Sequence, residues 1–159
     1  MNFLLDGMLG KLARWLRMMG HDVKYSTALG DVELLSVATK EKRVLLTRDL
    51  ALYQQSVTKD IEAYYVEGDT EPERLADLSE RFGLPLEIDL EKSRCPKCNT
   101  TLATVPNEEI ADNVEKNTLL YYNAFWKCPN CGAVYWQGAH WTKIRATLEE
   151  AKQKMKKKI

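Results

Sequence analysis

Residues 3–7 read FLLDG, and residues 8–19 continue as MLGKLARWLRMM. Three consecutive apolar residues without polar alternation predict a short strand that is buried on both faces, as in a parallel sheet. Asp6 then lies at the carboxyl end of this strand, and Gly7 allows a sharp turn into a helix. In open α/β sheets, ligands bind beside the carboxyl ends of the strands. The stretch therefore predicts a ligand site that begins at Asp6.

The chain up to residue 92 repeats this alternation of strand and helix. Further strands are predicted at 21–25, 43–47, 61–66 and 86–88, and helices at 8–19, 31–42, 50–55 and 70–83. This alternation predicts an α/β fold with a mainly parallel sheet and helices on both faces. From Arg94 the sequence is rich in cysteine and turn residues, and a last helix is predicted at 141–157. We therefore predict two domains, 1–92 and 93–159.

Composition and charge indicate a globular protein with two unlike parts. Of the 159 residues, 45% are hydrophobic and 29% are charged, as in soluble proteins. No apolar run is long enough for a membrane span or a signal peptide, so we expect a cytoplasmic protein with reduced cysteines. Residues 1–93 carry 12 Lys+Arg and 17 Asp+Glu, whereas residues 94–159 carry 11 and 6. The basic C-terminal part suits a polyanion, with a solvated lysine tail as the alternative.

Acidic residues follow three successive predicted strands. Asp6 follows the first strand, Asp31 and Glu33 follow the second, and Asp49 follows the third. The carboxyl ends of parallel strands lie along one edge, and carboxylates that converge there repel one another unless a divalent cation is bound. Oxygen ligands suit Mg²⁺ or Mn²⁺, which can activate water at a phosphodiester. The alternative is that Asp31 and Asp49 are helix N-caps and that Glu33 is a first-turn acid.

Cationic and hydroxyl side chains lie near these acids. Lys11, Arg14 and Arg17 are three residues apart on the first predicted helix, on the side opposite its apolar stripe. We predict that they contact phosphates; a solvated helix face is the alternative. Arg48 is a further candidate for a phosphate contact. Thr47 is a candidate for orienting a carboxylate or a water, and a purely structural contact is the alternative for both.

Four cysteines form two C-P-x-C pairs. Cys95 and Cys98 form the first pair, and Cys128 and Cys131 form the second. Two such pairs supply four thiolates for tetrahedral Zn²⁺, which predicts a structural zinc site because no position stays open for a substrate. The aromatic residues that surround the pairs should mostly form the core of this module, with one or two exposed for base stacking. They are Phe125, Trp126, Tyr135, Trp136 and Trp141. His140 is not needed as a zinc ligand and either caps the last helix or reaches the acidic site.

The whole chain resembles the Mut-seven C-terminal RNase family. The resemblance rests on FLLDGMLGKLARWLR at 3–17, LTRD at 46–49, the two C-P-x-C pairs and YWxGxH at 135–140. It implies a PIN-like nuclease domain followed by a zinc ribbon, with metal-dependent ribonuclease chemistry. Asp6 and Asp49 match the acidic positions of the family. Where the family often has adjacent acids, this chain has Gly30-Asp31-Val32-Glu33, which leaves Asp31 and Glu33 as alternatives.

These observations together predict a metal-dependent ribonuclease acting on single-stranded RNA. Asp6, Asp31 and Asp49 would bind Mg²⁺ or Mn²⁺, with Glu33 as a fourth acid, while zinc has a structural role. The main alternative is a non-catalytic adaptor that binds RNA or a ribonucleoprotein through the ribbon and the basic tail. A toxin-type nuclease that requires an antitoxin is less consistent with the zinc ribbon.

Overall fold

A computed structural model describes residues 1–157, with side-chain surroundings described through residue 155. Strands and helices alternate in the first part of the chain. They are β1 (Asn2–Leu5), α1 (Gly10–Met18), β2 (Asp22–Tyr25), α2 (Asp31–Glu41), β3 (Val44–Thr47), α3 (Leu50–Thr58), β4 (Ala63–Tyr65) and α4 (Glu71–Phe82). The second part contains β5 (Ala103–Val105), α5 (Asn107–Ile110), α6 (Lys116–Tyr121), β6 (Phe125–Lys127), β7 (Val134–Tyr135) and α7 (Trp141–Lys157).

The first four strands form a parallel sheet in the order β2-β1-β3-β4. Leu5 of β1 pairs with Tyr25 of β2 on one side and with Leu46 of β3 on the other. The strands therefore end level with one another, and the residues that follow them share one edge. We call this the carboxyl edge.

Successive residues of the central strands face opposite sides of the sheet. Phe3 and Leu5 belong to a core that includes residues of α1, α4 and α7, whereas Leu4 packs with α2 and α3. Phe3, Leu4 and Leu5 are all fully buried. Helices thus cover both faces of the sheet, which explains why β1 and β3 are apolar without alternation. The predicted α/β fold class is confirmed.

The second part is built on a smaller antiparallel sheet in the order β5-β6-β7. Its core contains Cys95, Cys128, Trp126 and Trp141. Helix α7 then packs on α4, and its residues Leu148 and Ala151 join the core of the parallel sheet. The last helix is therefore shared between the two parts of the chain. The division at residue 92 stays a prediction.

The fifth strand predicted at 86–88 is wrong, since the described structure has no strand there. Leu84 and Leu86 are buried in the main core with Leu148 of α7. Their alternation thus reflects packing beside a helix instead of pairing in a sheet. Asp31 is also not the N-cap of α2, because Gly30 occupies that position and Asp31 is the first helical residue. None of the helices within residues 1–157 has the length and apolar character needed to cross a membrane.

Candidate functional site

Asp6 lies at the carboxyl edge between the neighbouring strands β2 and β3. The residue is only 6% exposed. Its Oδ1 accepts a hydrogen bond from the backbone N–H of Met8 at 3.0 Å, and its Oδ2 accepts a short hydrogen bond from the hydroxyl of Thr47. Because both oxygens accept hydrogen bonds, the carboxylate has a defined orientation at the end of β1.

Thr47 connects Asp6 to Asp49. Its Oγ1 donates to Asp6 and accepts a hydrogen bond from the backbone N–H of Asp49 at 2.9 Å. Thr47 is fully buried, and its hydroxyl orients the carboxylate of Asp6. Asp6, Thr47 and Asp49 form one hydrogen-bonded arrangement, which we call the Asp6–Thr47–Asp49 group.

Asp49 is the N-cap of α3. Its Oδ1 accepts a hydrogen bond from the backbone N–H of Leu52 at 3.2 Å. Asp49 is therefore a helix N-cap, as the alternative to a metal ligand predicted. One hydrogen bond does not exhaust the acceptor capacity of a carboxylate, so Asp49 can cap the helix and bind a cation as well.

Asp31 and Glu33 are placed differently. Both are exposed in the first turn of α2, where they face the positive end of the helix dipole. Among the described residues, the acids form no group of three or more that is close enough to hold a metal ion. The structure therefore joins Asp6 with Asp49 through Thr47, and it does not bring Asp31 or Glu33 into that group.

Three of the four cations predicted to contact phosphates are exposed or partly exposed. Lys11 and Arg14 are exposed on α1. Arg48 is partly exposed; it donates to the carbonyl of Val66 at 2.6 Å and lies over the ring of Tyr65, which keeps it at the carboxyl edge.

Arg17 is the exception among these cations, because it is 8% exposed and its guanidinium makes internal hydrogen bonds. Nε and Nη2 donate to the carbonyl of Val23, and Nη1 donates to the carbonyl of Pro96 at 2.9 Å. Burial lowers its pKa from the ordinary value. The guanidinium of Arg17 is therefore engaged within the protein, and the phosphate contact predicted for it stays a prediction.

Glu71 is a carboxylate at the same edge that the sequence patterns did not single out. It is the first residue of α4, and its Oε1 lies 3.4 Å from Nη1 of Arg74. Burial raises its pKa, which the nearby charges of Arg74 and Lys11 oppose. In the described part of the chain, Oε2 is buried without a hydrogen-bond partner. The sequence contains no separate indication of Glu71, because residues 70–73 match an ordinary capping box.

The four cysteine sulfurs converge in the second part of the chain. All of them lie within 4.8 Å of one another, with Sγ atoms 3.7 Å apart for Cys95 and Cys131 and 3.2 Å apart for Cys98 and Cys128. A tetrahedron with Zn–S bonds of about 2.3 Å has sulfurs about 3.8 Å apart. The sulfurs therefore fit a tetrahedral zinc ion, as the two C-P-x-C pairs predict.

The sulfurs differ in their surroundings. Hydrogen bonding with Thr100 lowers the pKa of the Cys98 thiol to about 5, whereas burial raises the pKa of Cys128 to about 11. The hydroxyl of Tyr135 lies 3.2 Å from the sulfur of Cys95. A divalent cation would hold all four sulfurs as thiolates.

Most of the aromatic residues predicted for the core of the module do lie there. Phe125, Trp126 and Trp141 are buried, and Tyr135 and Trp136 are partly buried. The ring of His140 makes edge contacts with Trp136 and Trp141, and its carbonyl accepts N–H groups at the start of α7. His140 thus belongs to the helix start. Exposed apolar side chains in this part of the chain include Leu120 and Tyr121 of α6, at 83% and 84% exposure.

Comparison with known proteins extends over both parts of the chain. A family model, the Mut7-C RNAse domain, matches residues 1–148. The chain belongs to the Mut7-C RNase domain family. No curated protein and no solved structure matches it. The Mut7-C match spans the parallel sheet, the cysteine module and the first half of α7, and it confirms the resemblance seen in the sequence. Membership of an RNase-domain family indicates a nuclease-type protein with RNA as its class of substrate or partner.

Proposed function

We propose that the protein is a ribonuclease that hydrolyses phosphodiester bonds of single-stranded RNA with the help of Mg²⁺ or Mn²⁺. The observation that carries this proposal is the Asp6–Thr47–Asp49 group at the carboxyl edge. Ligands bind at this edge in parallel α/β sheets. Membership of the Mut7-C RNase domain family supports RNA as the substrate class.

The side chains of the group suit a hard divalent cation. Mg²⁺ is usually held by one or two carboxylates together with water and substrate phosphates, so Asp6 and Asp49 are sufficient protein ligands. The bound ion would supply a more acidic water and stabilise charge on the leaving oxygen. Thr47 orients Asp6, and the cap on α3 limits the rotation of Asp49. Asp31 and Glu33 stay predicted ligands, with a smaller expected contribution.

Cationic side chains near the edge would hold the RNA backbone. Lys11 and Arg14 are exposed on α1, which begins at Gly10, shortly after Asp6. Arg48 lies next to Asp49 in sequence and is held at the edge by Val66. These three are the proposed phosphate contacts, and electrostatic attraction would position the scissile bond beside the carboxylates.

The decisive experiment compares Mn²⁺-dependent cleavage of a single-stranded RNA by wild type and by Asp49→Asn. Asparagine caps a helix about as well as aspartate, so stability should be retained while a charged ligand is lost. We expect cleavage to fall at least about 100-fold. Asp89→Asn is the matched control, because Asp89 also accepts a backbone N–H, that of Glu91, away from this group.

The same series separates the acids. Asp31→Asn and Glu33→Gln should lower cleavage less than Asp49→Asn, since their side chains are exposed and lie outside the Asp6–Thr47–Asp49 group. Equal cleavage by wild type and Asp49→Asn would refute the metal role of Asp49. If wild type binds RNA but cleaves no RNA tested, the adaptor function is favoured; the basic charge of residues 94–159 is the observation that supports it.

A further inference from the structure

The outer side of strand β2 is completed by side chains instead of by another strand. β2 is at the edge of the sheet, where backbone N–H and C=O groups lack a neighbouring strand. Val23 is fully buried, so its backbone groups need partners. The Oδ1 of Asn99 accepts its N–H at 3.0 Å, and Arg17 donates to its carbonyl at 3.0 and 2.8 Å.

These contacts tie β2 to the first cysteine pair. Asn99 directly follows Cys98, and its Nδ2 donates to the carboxylate of Asp22 at 2.7 Å. Arg17 bridges the two parts of the chain, because it also donates to the carbonyl of Pro96. We call residues 95–99 the first knuckle and residues 128–132 the second knuckle.

Comparison of the two knuckles shows what is unusual about Asn99. Each knuckle ends with a residue of positive φ, 70° at Asn99 and 78° at Gly132. The backbone N–H of each donates to the first cysteine of its knuckle, at 2.8 Å for Asn99 and 2.9 Å for Gly132. Glycine adopts this conformation without strain, whereas an asparagine in the left-handed region carries a small conformational strain. The side chain of Asn99 therefore has a use that the second knuckle lacks, which is the contact with Val23 and Asp22.

The far end of β2 supports the start of the candidate site. The hydroxyl of Tyr25 donates to the carbonyl of Gly7 at 3.0 Å, in the loop between Asp6 and α1. A Cβ placed on Gly10 would lie 2.8 Å from that hydroxyl oxygen, so the ring packs closely on the start of the helix. β2 thus connects the first knuckle to residues 6–9, which we call the Asp6 loop.

We propose that the zinc-bound first knuckle serves as the missing neighbour of β2 and, through Tyr25, holds the Asp6 loop in place. Asn99 is then a positioning residue, and zinc supports the candidate site although it lies in the other part of the chain. The inference goes beyond the proposed function, because it concerns the order of β2 and the loop and can be measured without cleavage of RNA.

The test is amide hydrogen exchange of the full chain by NMR, with zinc bound. Asn99→Gly suits the positive φ and keeps all four cysteines, so it removes only the side-chain contacts. Loss of this hydrogen bond should speed exchange of the Val23 amide about tenfold. The amide of Met8, bonded to Asp6, should also exchange faster. Asp60→Gly is the matched control, a glycine substitution at φ 56° away from the knuckle, and it should leave both rates unchanged.

A further sample makes the result specific. Removal of zinc from wild type by a chelator should speed Val23 exchange at least as much as Asn99→Gly, with the central-strand amides of Leu4 and Leu45 still protected.

If the Val23 amide of Asn99→Gly, or of wild type without zinc, exchanges as slowly as in zinc-bound wild type, the proposal is overturned. Faster exchange at Val23 with unchanged exchange at Met8 would overturn the link to the Asp6 loop. Because none of these measurements uses RNA, they stay decisive even if the protein proves to cleave no RNA.

Discussion

Thr47 shows how a single hydroxyl can organise a site at the residue scale. The residue ends β3 beside β1, which places its hydroxyl between Asp6 and the backbone of Asp49. A hydroxyl can donate one hydrogen bond while it accepts another, so Thr47 satisfies both neighbours at once. A valine of nearly the same shape could do neither.

Thr47→Val should therefore lower both stability and activity. The substitution leaves an oxygen of Asp6 and the N–H of Asp49 without their partner in a buried setting, at a cost of about 1–3 kcal/mol. Urea unfolding measures the stability, and Mn²⁺-dependent RNA cleavage measures the activity. Thr39→Val is the control, because the hydroxyl of Thr39 bonds only a carbonyl of its own helix, that of Leu35. Similar behaviour of the two variants would contradict the role assigned to Thr47.

His21 gives the fold a dependence on pH. Burial, helped by the nearby amino terminus, lowers its pKa from 6.5 to about 4. The folded state thus keeps the ring neutral, whereas the unfolded chain binds a proton near pH 6.5. The stabilisation is complete above that pH and is lost as pH falls toward 4.

We expect the free energy of unfolding to fall by about 1 kcal/mol between pH 7 and 5 because of His21, after discounting for its partial exposure. Urea unfolding of wild type and His21→Gln over this range measures the effect, since carboxylates titrate equally in both proteins. Parallel pH profiles would show that His21 does not contribute.

At the scale of elements, α1 illustrates how one helix meets two environments. Its three cations are at positions 11, 14 and 17, and a helix turns about 100° per residue. Each step of three residues shifts the direction by about 60°, so Arg17 points about 120° away from Lys11. That rotation brings Arg17 to the first knuckle while Lys11 and Arg14 stay exposed.

The cysteine module should depend on zinc for its fold. We expect one Zn²⁺ per chain by elemental analysis, lost in Cys128→Ser because a buried ligand is removed. Lys97→Ala, an exposed position within the first knuckle, is the control and should retain zinc. The binding free energy of structural zinc is about 10 kcal/mol or more, so chelation should unfold the small sheet. The prediction would be contradicted if the purified protein contains no zinc and stays folded while its four thiols react freely.

The whole molecule combines an acidic sheet part with a basic C-terminal part. Helix α7 belongs to both, because Leu148 and Ala151 pack in the main core while its last turn carries lysines. Met155 also packs against that core, and Nζ of Lys154 lies 4.0 Å from Oε1 of Glu73. The tail proposed to bind RNA therefore begins after residue 155. Lys158, which is predicted to contribute to RNA binding, lies outside the described residues.

Deletion of residues 156–159 should weaken RNA binding without unfolding the protein. The deletion removes three lysines and spares Met155. If all three contact phosphates of single-stranded RNA, the slope of log affinity against log salt should become shallower by about 2. Fluorescence anisotropy at several salt concentrations measures it, with thermal unfolding as the control for fold. An unchanged slope would identify the tail as a solvated end.

The sequence by itself determined the features whose signals are local. Strand β1, the alternation of strands and helices and the four cysteines could be predicted because periodicity and short spacings encode them. The places of Asp6 and Asp49 at the carboxyl edge could also be predicted, since parallel strands end on one side; that these acids bind a metal stays a prediction. The strand predicted at 86–88 failed because a buried alternating stretch looks the same whether it pairs in a sheet or packs beside a helix.

Only the tertiary structure decided the roles of Arg17 and Asn99 and the surroundings of Glu71. Asn99 bonds Val23, and Arg17 bonds the first knuckle, across long separations in the chain; Glu71 is partly buried, with its Oε2 atom out of contact with solvent, which its capping box does not reveal. These roles depend on where α1, β2, α4 and the first knuckle meet. Packing sets that meeting point through the summed burial of many distant side chains, and no short window of sequence contains it.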